Sequence, residues 1–160
     1  MTDTPSSPDS SPSTPYRLHE SLGYNLTLAA RRQERRLDEK LRLIGLTRTT
    51  WCILLAVGNE GMTQPSDIAA FVGIDRTATS RALRSMESDG LLARHSGTED
   101  RRTRQIELTE KGNRVLLKGT PFARENGRLL RALLTPDEHA ELTRLLNVLI
   151  EGTPAELQSI

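Results

Sequence analysis

With 160 residues, of which 36% are hydrophobic and only 3% aromatic, the chain can bury one core but leaves no room for a second domain of ordinary size. A single cysteine, Cys52, excludes an internal disulfide framework. There is neither a secretory-type apolar segment near the start nor an apolar run long enough to cross a bilayer, so the expectation is a soluble, cytoplasmic protein.

The net charge of +1 decides nothing alone, but its distribution is uneven. Between Arg31 and Arg42 there are six basic and three acidic residues, whereas from Asp137 onward five acids face one base, Arg144. A basic middle and an acidic end suit a central lobe that meets phosphate while the ends do something else.

Residues 1–15, MTDTPSSPDSSPSTP, offer no apolar surface to offset the entropy of ordering and are expected to form a disordered tail. A first helix is expected from Tyr16 to Leu43, because Leu18, Leu22, Leu26, Ala29, Ala30, Gln33, Leu37 and Leu41 recur at helical spacing. Such a helix would span about 40 Å, more than a monomer of this size needs, so part of its stripe should meet a second subunit. Thr47 is a good N-cap for a second helix, Arg48 to Asn59. Trp51, Ile53, Leu54, Leu55 and Val57 make that helix apolar on most faces and hence central.

Pro65 suits the first turn of a third helix, in which Ile68, Ala69 and Val72 share a face and Gly73 stands where the helix would stop. Asp75 then caps a fourth helix. Its Ala78, Ala82, Leu83 and Met86 can pack inward, leaving Arg76, Thr77, Thr79, Ser80, Arg81 and Arg84 outward. From Arg76 to Met86 this face carries three arginines, small hydroxyls and no acid, a surface that can approach a DNA groove closely and donate hydrogen bonds there. Asp89-Gly90 ends the helix. Leu91 to His95 has strand character, Ser96 to Arg102 is a polar loop, and Thr103 to Leu108 alternates as a returning strand. Two helices at a Gly-containing turn, followed by an arginine-tipped hairpin, describe a winged helix-turn-helix.

After the hairpin, Thr109 caps a long helix to about Leu134, in which Gly119-Thr120-Pro121 predicts a kink or local break. Thr135-Pro136-Asp137-Glu138 is a capping box with proline at the first helical position. It opens a last helix carrying Leu142, Leu145, Leu146 and Leu149. Apolar stripes at both chain ends without an evident partner in the same chain imply a homodimer.

The run Asp89-Gly90-Leu91-Leu92, then Glu99-Asp100-Arg101-Arg102, then Leu108-Thr109-Glu110-Lys111-Gly112, closely resembles the MarR family of bacterial transcriptional regulators (multiple antibiotic resistance regulators). The resemblance spans roughly residues 18–150, with its signature within 45–112. It implies a mostly α fold with a small β-hairpin wing, in which residues 47–108 form the DNA-binding lobe and residues 16–46 and 109–160 the dimerisation helices of a single domain. It also implies a repressor that binds a pseudo-palindromic operator in double-stranded DNA and responds to a small amphipathic aromatic effector. The recognition helix would use Arg76, Thr77, Thr79, Ser80, Arg81 and Arg84. In the wing, Arg101, Arg102 and Arg104 would meet DNA, while Asp100, like-charged with phosphate, would orient an arginine of the loop. Where the first, second and fifth helices meet, His19, Tyr24, Asn25 and Trp51 are the candidate effector residues.

Other chemistries find little support in the residues. His19, His95 and His139 are scattered, no phosphate loop or nucleophile motif is present, and no enzyme, metal or cofactor is expected. Glu138, His139 and Glu141 do not share one helical face in a metal-binding arrangement. The alternatives are a winged helix used for protein interaction, and a thiol-based redox regulator acting through Cys52. That cysteine lies between Trp51 and Ile53 in the most apolar helix, where burial is expected to make it inert.

Overall fold

The core forms where apolar stripes of five helices converge on a hairpin. In a computed structural model, residues 15–96 and 104–152 are described; the tail expected over 1–15 lies outside them except for Pro15, as does the wing tip at 97–103. The chain divides into two compact units, residues 1–32 and 33–160. Six α-helices are found among the described residues: α1 (Leu22–Arg42), α2 (Arg48–Gly58), α3 (Pro65–Val72), α4 (Arg76–Ser88), α5 (Glu110–Arg131) and α6 (Pro136–Glu151). Strands β1 (Leu92–Ser96) and β2 (Arg104–Leu108) stand between α4 and α5 and pair antiparallel, with Leu92 opposite Leu108 and Arg94 opposite Ile106.

In the first unit, the helix expected from Tyr16 starts later. Leu18–Glu20 form a 3₁₀ turn, and Ser21 is extended, with φ −73° and ψ 123°. The reason is local: the Ser21 hydroxyl accepts from the Tyr24 amide at 3.3 Å, an N-cap arrangement that begins α1 at Leu22. Leu18, Leu22 and Leu26 are all exposed.

In the second unit, Leu41, Ile53, Leu54, Ile68, Leu83, Met86 and Ile106 are almost fully excluded from solvent. They come from the end of α1, from α2, α3 and α4, and from β2, so the helix-turn-helix and its hairpin share one core. Thr47 caps α2 as expected, within a capping box that also uses the Thr50 hydroxyl. Thr135 and Glu138 do the same for α6.

Helix α5 runs through Pro121 without the expected break. Proline removes the amide that would serve the Leu117 carbonyl, but Leu117 is 72% exposed, so water can take that place. In the turn before it, the Thr120 hydroxyl donates to the Leu116 carbonyl at 2.9 Å.

Gly119 allows α5 to lie against the Trp51 ring, since a Cβ there would fall inside the ring's van der Waals surface. Helix propensity alone would favour Gly119→Ala by about 1 kcal/mol. The overpacking should outweigh this, lowering stability by about 1–3 kcal/mol in denaturant unfolding. A more stable variant would mean that α2 and α5 are loosely apposed.

Candidate nucleic-acid interface

The turn between α3 and α4 follows from three residues. Pro65 occupies the first turn of α3, and Gly73 ends it at φ 73°, a left-handed conformation that glycine adopts without the Cβ clash of other residues. The Asp75 carboxylate then accepts from the Ala78 amide at 2.8 Å and starts α4.

On α4, Leu83 and Met86 are buried and Ala78 and Ala82 are half-buried, as the periodicity predicts. Arg76, Thr77, Ser80, Arg81 and Arg84 are exposed. Thr79, expected to face outward, is 1% exposed and must be removed from that face. It continues the Leu83 and Met86 stripe, and its hydroxyl escapes the penalty of burial by donating to the Asp75 carbonyl at 2.9 Å. Its role is to seat the helix. Arg76, Arg81 and Arg84 make no ion pair or side-chain hydrogen bond with any described residue, so their donors face solvent. By contrast, Arg48 and Arg94 are engaged by carboxylates.

The hairpin is tied to the helix-turn-helix at two points that spacing rules did not reveal. The Ile106 amide donates to the Thr63 carbonyl at 3.0 Å, joining β2 to the loop before α3. Arg94 Nε lies 3.1 Å from Glu87 Oε2, joining β1 to the last turn of α4. These partners are seven residues apart across a turn, a separation that neither helical nor strand periodicity connects. His95 Nε2 stands 2.5 Å from Glu107 Oε1 across the two strands. Arg104 begins β2, its side chain outside the described set, and Asp100, Arg101 and Arg102 lie in the undescribed tip.

The candidate effector residues divide between the two units. In the first, the His19 and Tyr24 rings meet edge to face at 5.1 Å, and Asn25 donates to the His19 carbonyl at 3.0 Å. In the second, Trp51 is 3% exposed and belongs to the core. A separate cavity of about 390 Å³, where α5 leads into α6, is lined by Arg131, Leu134, Pro136 and His139.

Cys52 is half-buried, and burial pushes its thiol upward; Arg48 opposes that shift and Glu34 adds to it. The Arg48 guanidinium is itself held by Asp38 at 3.0 Å and Glu34 at 3.1 Å, which fasten α1 to α2 and leave little positive charge for a thiolate. Because the thiolate is the reactive form, Cys52 should alkylate with iodoacetamide at pH 7.5 several-fold more slowly than free cysteine. Reaction as fast as that of the free amino acid would restore the redox alternative.

Among the described residues, no three His, Cys, Asp or Glu side chains are grouped so as to hold a metal ion, and no helix is long and apolar enough to cross a membrane.

Comparison with known proteins places the signature where the geometry does. Residues 44–103, from the end of α1 to the wing, match the MarR family. The fold is similar to that of the Mycobacterium tuberculosis transcriptional regulator MosR, at 29% identity and a TM-score of 0.69, covering 86% of this chain and all of MosR. It is also similar to the transcriptional repressor CouR bound to a 23-mer DNA duplex, at 27% identity and a TM-score of 0.73, covering 83% of this chain and 94% of CouR. Bordetella bronchiseptica BpsR, whose DNA binding is regulated by 6-hydroxynicotinic acid, shares the fold at 24% identity and a TM-score of 0.76, covering 84% of this chain and 96% of BpsR. The mostly α architecture with a two-stranded hairpin is thus that of the winged-helix regulators.

Proposed function

We propose that the chain, whose residues 44–103 match the MarR family, is a cytoplasmic, sequence-specific DNA-binding repressor of that family acting as a homodimer. The observation that carries this reading is the outer face of α4, where Arg76, Arg81 and Arg84 are exposed with no carboxylate holding them among the described residues, beside the small Thr77 and Ser80. Arginines presented on a helix with short neighbours can reach guanine edges or phosphates in the major groove. Arg101, Arg102 and Arg104 of the wing would meet the minor groove or backbone, with Asp100 orienting them. The similarity to CouR, a transcriptional repressor bound to a 23-mer DNA duplex, supports DNA binding.

Residues 47–108 would be the DNA-binding lobe, and 16–46 and 109–160 the dimerisation helices. Exposed leucines at both ends, Leu22 and Leu26 on α1 and Leu142, Leu145 and Leu146 on α6, favour assembly through the termini. A small amphipathic aromatic effector would regulate binding; of the residues expected to meet it, His19, Tyr24 and Asn25 group in the first unit, whereas Trp51 is packed in the core of the second. The shared fold with BpsR supports that class of ligand.

Footprinting on the DNA upstream of the protein's own gene tests the reading. Two protected half-sites with related, inverted sequences, centred about 34 Å apart or a multiple of that, are expected of a two-fold symmetric dimer. Uniform weak protection without a preferred site would remove the sequence-specific part of the proposal.

A further inference from the structure

The segment that opens α5 closes on the end of the helix that we read as the DNA reader. Helix α4 stops at Asp89, and Gly90 turns the chain at φ 68°. Three contacts from 109–112 then hold that turn. The Thr109 hydroxyl donates to the Gly90 carbonyl at 2.6 Å, the Thr109 amide to the Leu91 carbonyl at 3.1 Å, and Lys111 Nζ to the Asp89 carbonyl at 2.6 Å. Gly112 is buried against the Leu91 carbonyl, close enough that no Cβ fits between them. The hydroxyl of Thr109 also accepts from the Gly112 amide at 3.0 Å, so one side chain starts α5 and binds the end of α4 together.

We propose that Lys111 is a positioning residue for the recognition helix: with Thr109 and Gly112 it forms a clamp that fixes the C-terminal end of α4 to the start of α5. Lys111 is suited to this on two counts. Its cation faces the negative end of the α4 dipole, where positive charge is stabilising. Its bond is to a backbone carbonyl that the helix leaves without an intrahelical donor. Arg94, held by Glu87 in the last turn of α4, adds a second fastening from β1. The end of α4 is therefore tied to both the wing and α5, and its angle to the rest of the lobe is fixed before any ligand arrives. A helix so fixed loses less freedom when it docks. The inference rests on the reading of α4 as the DNA-contacting element.

Lys111→Met in the full-length protein tests it, because the side chain is exposed and its loss should not unfold the core, whereas Gly112→Ala is expected to disturb the fold itself. Two readouts are needed. Hydrogen exchange at the Asp89, Gly90 and Leu91 amides, which donate to Ser85, Glu87 and Met86 carbonyls respectively, should accelerate, while exchange at Ile53 and Leu54 in α2 stays unchanged. Operator affinity should fall about three- to tenfold with no change in the slope of log K against log salt, and Lys111→Arg should recover most of it.

A lysine that touches phosphate would instead lower that slope by about one per contact, an outcome that overturns the positioning role. Unchanged exchange at 89–91 overturns the clamp whatever happens to DNA binding. Accelerated exchange in a protein whose parent form binds no DNA would uphold the clamp while refuting the DNA-binding reading.

Discussion

Deletion of residues 136–160 is expected to abolish the dimer and leave a chain that aggregates or unfolds. No residue of α6 is buried within a single chain, yet Leu142, Leu145, Leu146 and Val148 recur along it at between 37% and 54% exposure. Burying the remaining surface of each such side chain contributes on the order of 1 kcal/mol, so single Leu→Ala changes in α6 should weaken association only modestly. Losing the whole helix removes these contributions together, twice per dimer, next to Leu130 of α5 and Leu133 of the turn after it, already 42% and 78% exposed. Light scattering and circular dichroism on the truncated chain would check this. A soluble, folded monomer would place the dimer interface elsewhere or show that none is required.

Arg81→Ala and Arg84→Ala should each weaken operator binding by about 1–3 kcal/mol, with relaxed sequence preference at the position read if the contact is to a base edge. Neither guanidinium makes an ion pair or hydrogen bond with another described residue, so truncation removes no such interaction and leaves no buried partner among those residues unsatisfied. The melting temperature should therefore stay near that of the parent while affinity falls, separating a lost DNA contact from a damaged fold. Thr79→Val should behave in the opposite way. It removes a hydroxyl bonded to the Asp75 carbonyl within the core, and the effect belongs to stability before it belongs to binding. Parent-like binding by both arginine variants in a mobility-shift titration would refute the groove assignment.

Where a residue's role is local, the sequence was a sufficient guide. Thr47, Asp75, Thr109 and Thr135 cap the helices their spacing predicts, Pro65 and Pro136 occupy first turns, and Gly73 takes the left-handed stop. Where chemistry and position compete, it was less so. Thr79 reads as polar by type, but its spacing to Leu83 and Met86 places it inside, and a bond to its own helix's N-cap makes that tolerable. Pro121 reads as a helix breaker, yet the carbonyl it deprives of a donor lies on an exposed turn of a helix that is otherwise held by packing at Gly119. The start of α1 was obscured because Leu18 belongs to the apolar stripe, while the Ser21 cap interrupts the helix three residues later. Contacts such as Glu87 with Arg94, or Lys111 with the Asp89 carbonyl, join segments across turns, and no periodicity encodes them. The expected pairing of Asp100 with wing arginines lies outside the described residues.

Sequence reading through α4 and the wing is the function proposed for this protein. It is tested most directly by titrating the full-length protein onto the footprinted duplex and onto a scrambled duplex of the same length, over a range of salt concentrations. Binding to the footprinted site is expected to be at least about 10³-fold tighter than to the scrambled one, with log K for both falling linearly as log salt rises, because arginine–phosphate contacts release counterions. Equal affinity for the two duplexes, or affinity indifferent to salt, would contradict it and leave the winged lobe to be explained as a surface for binding other proteins.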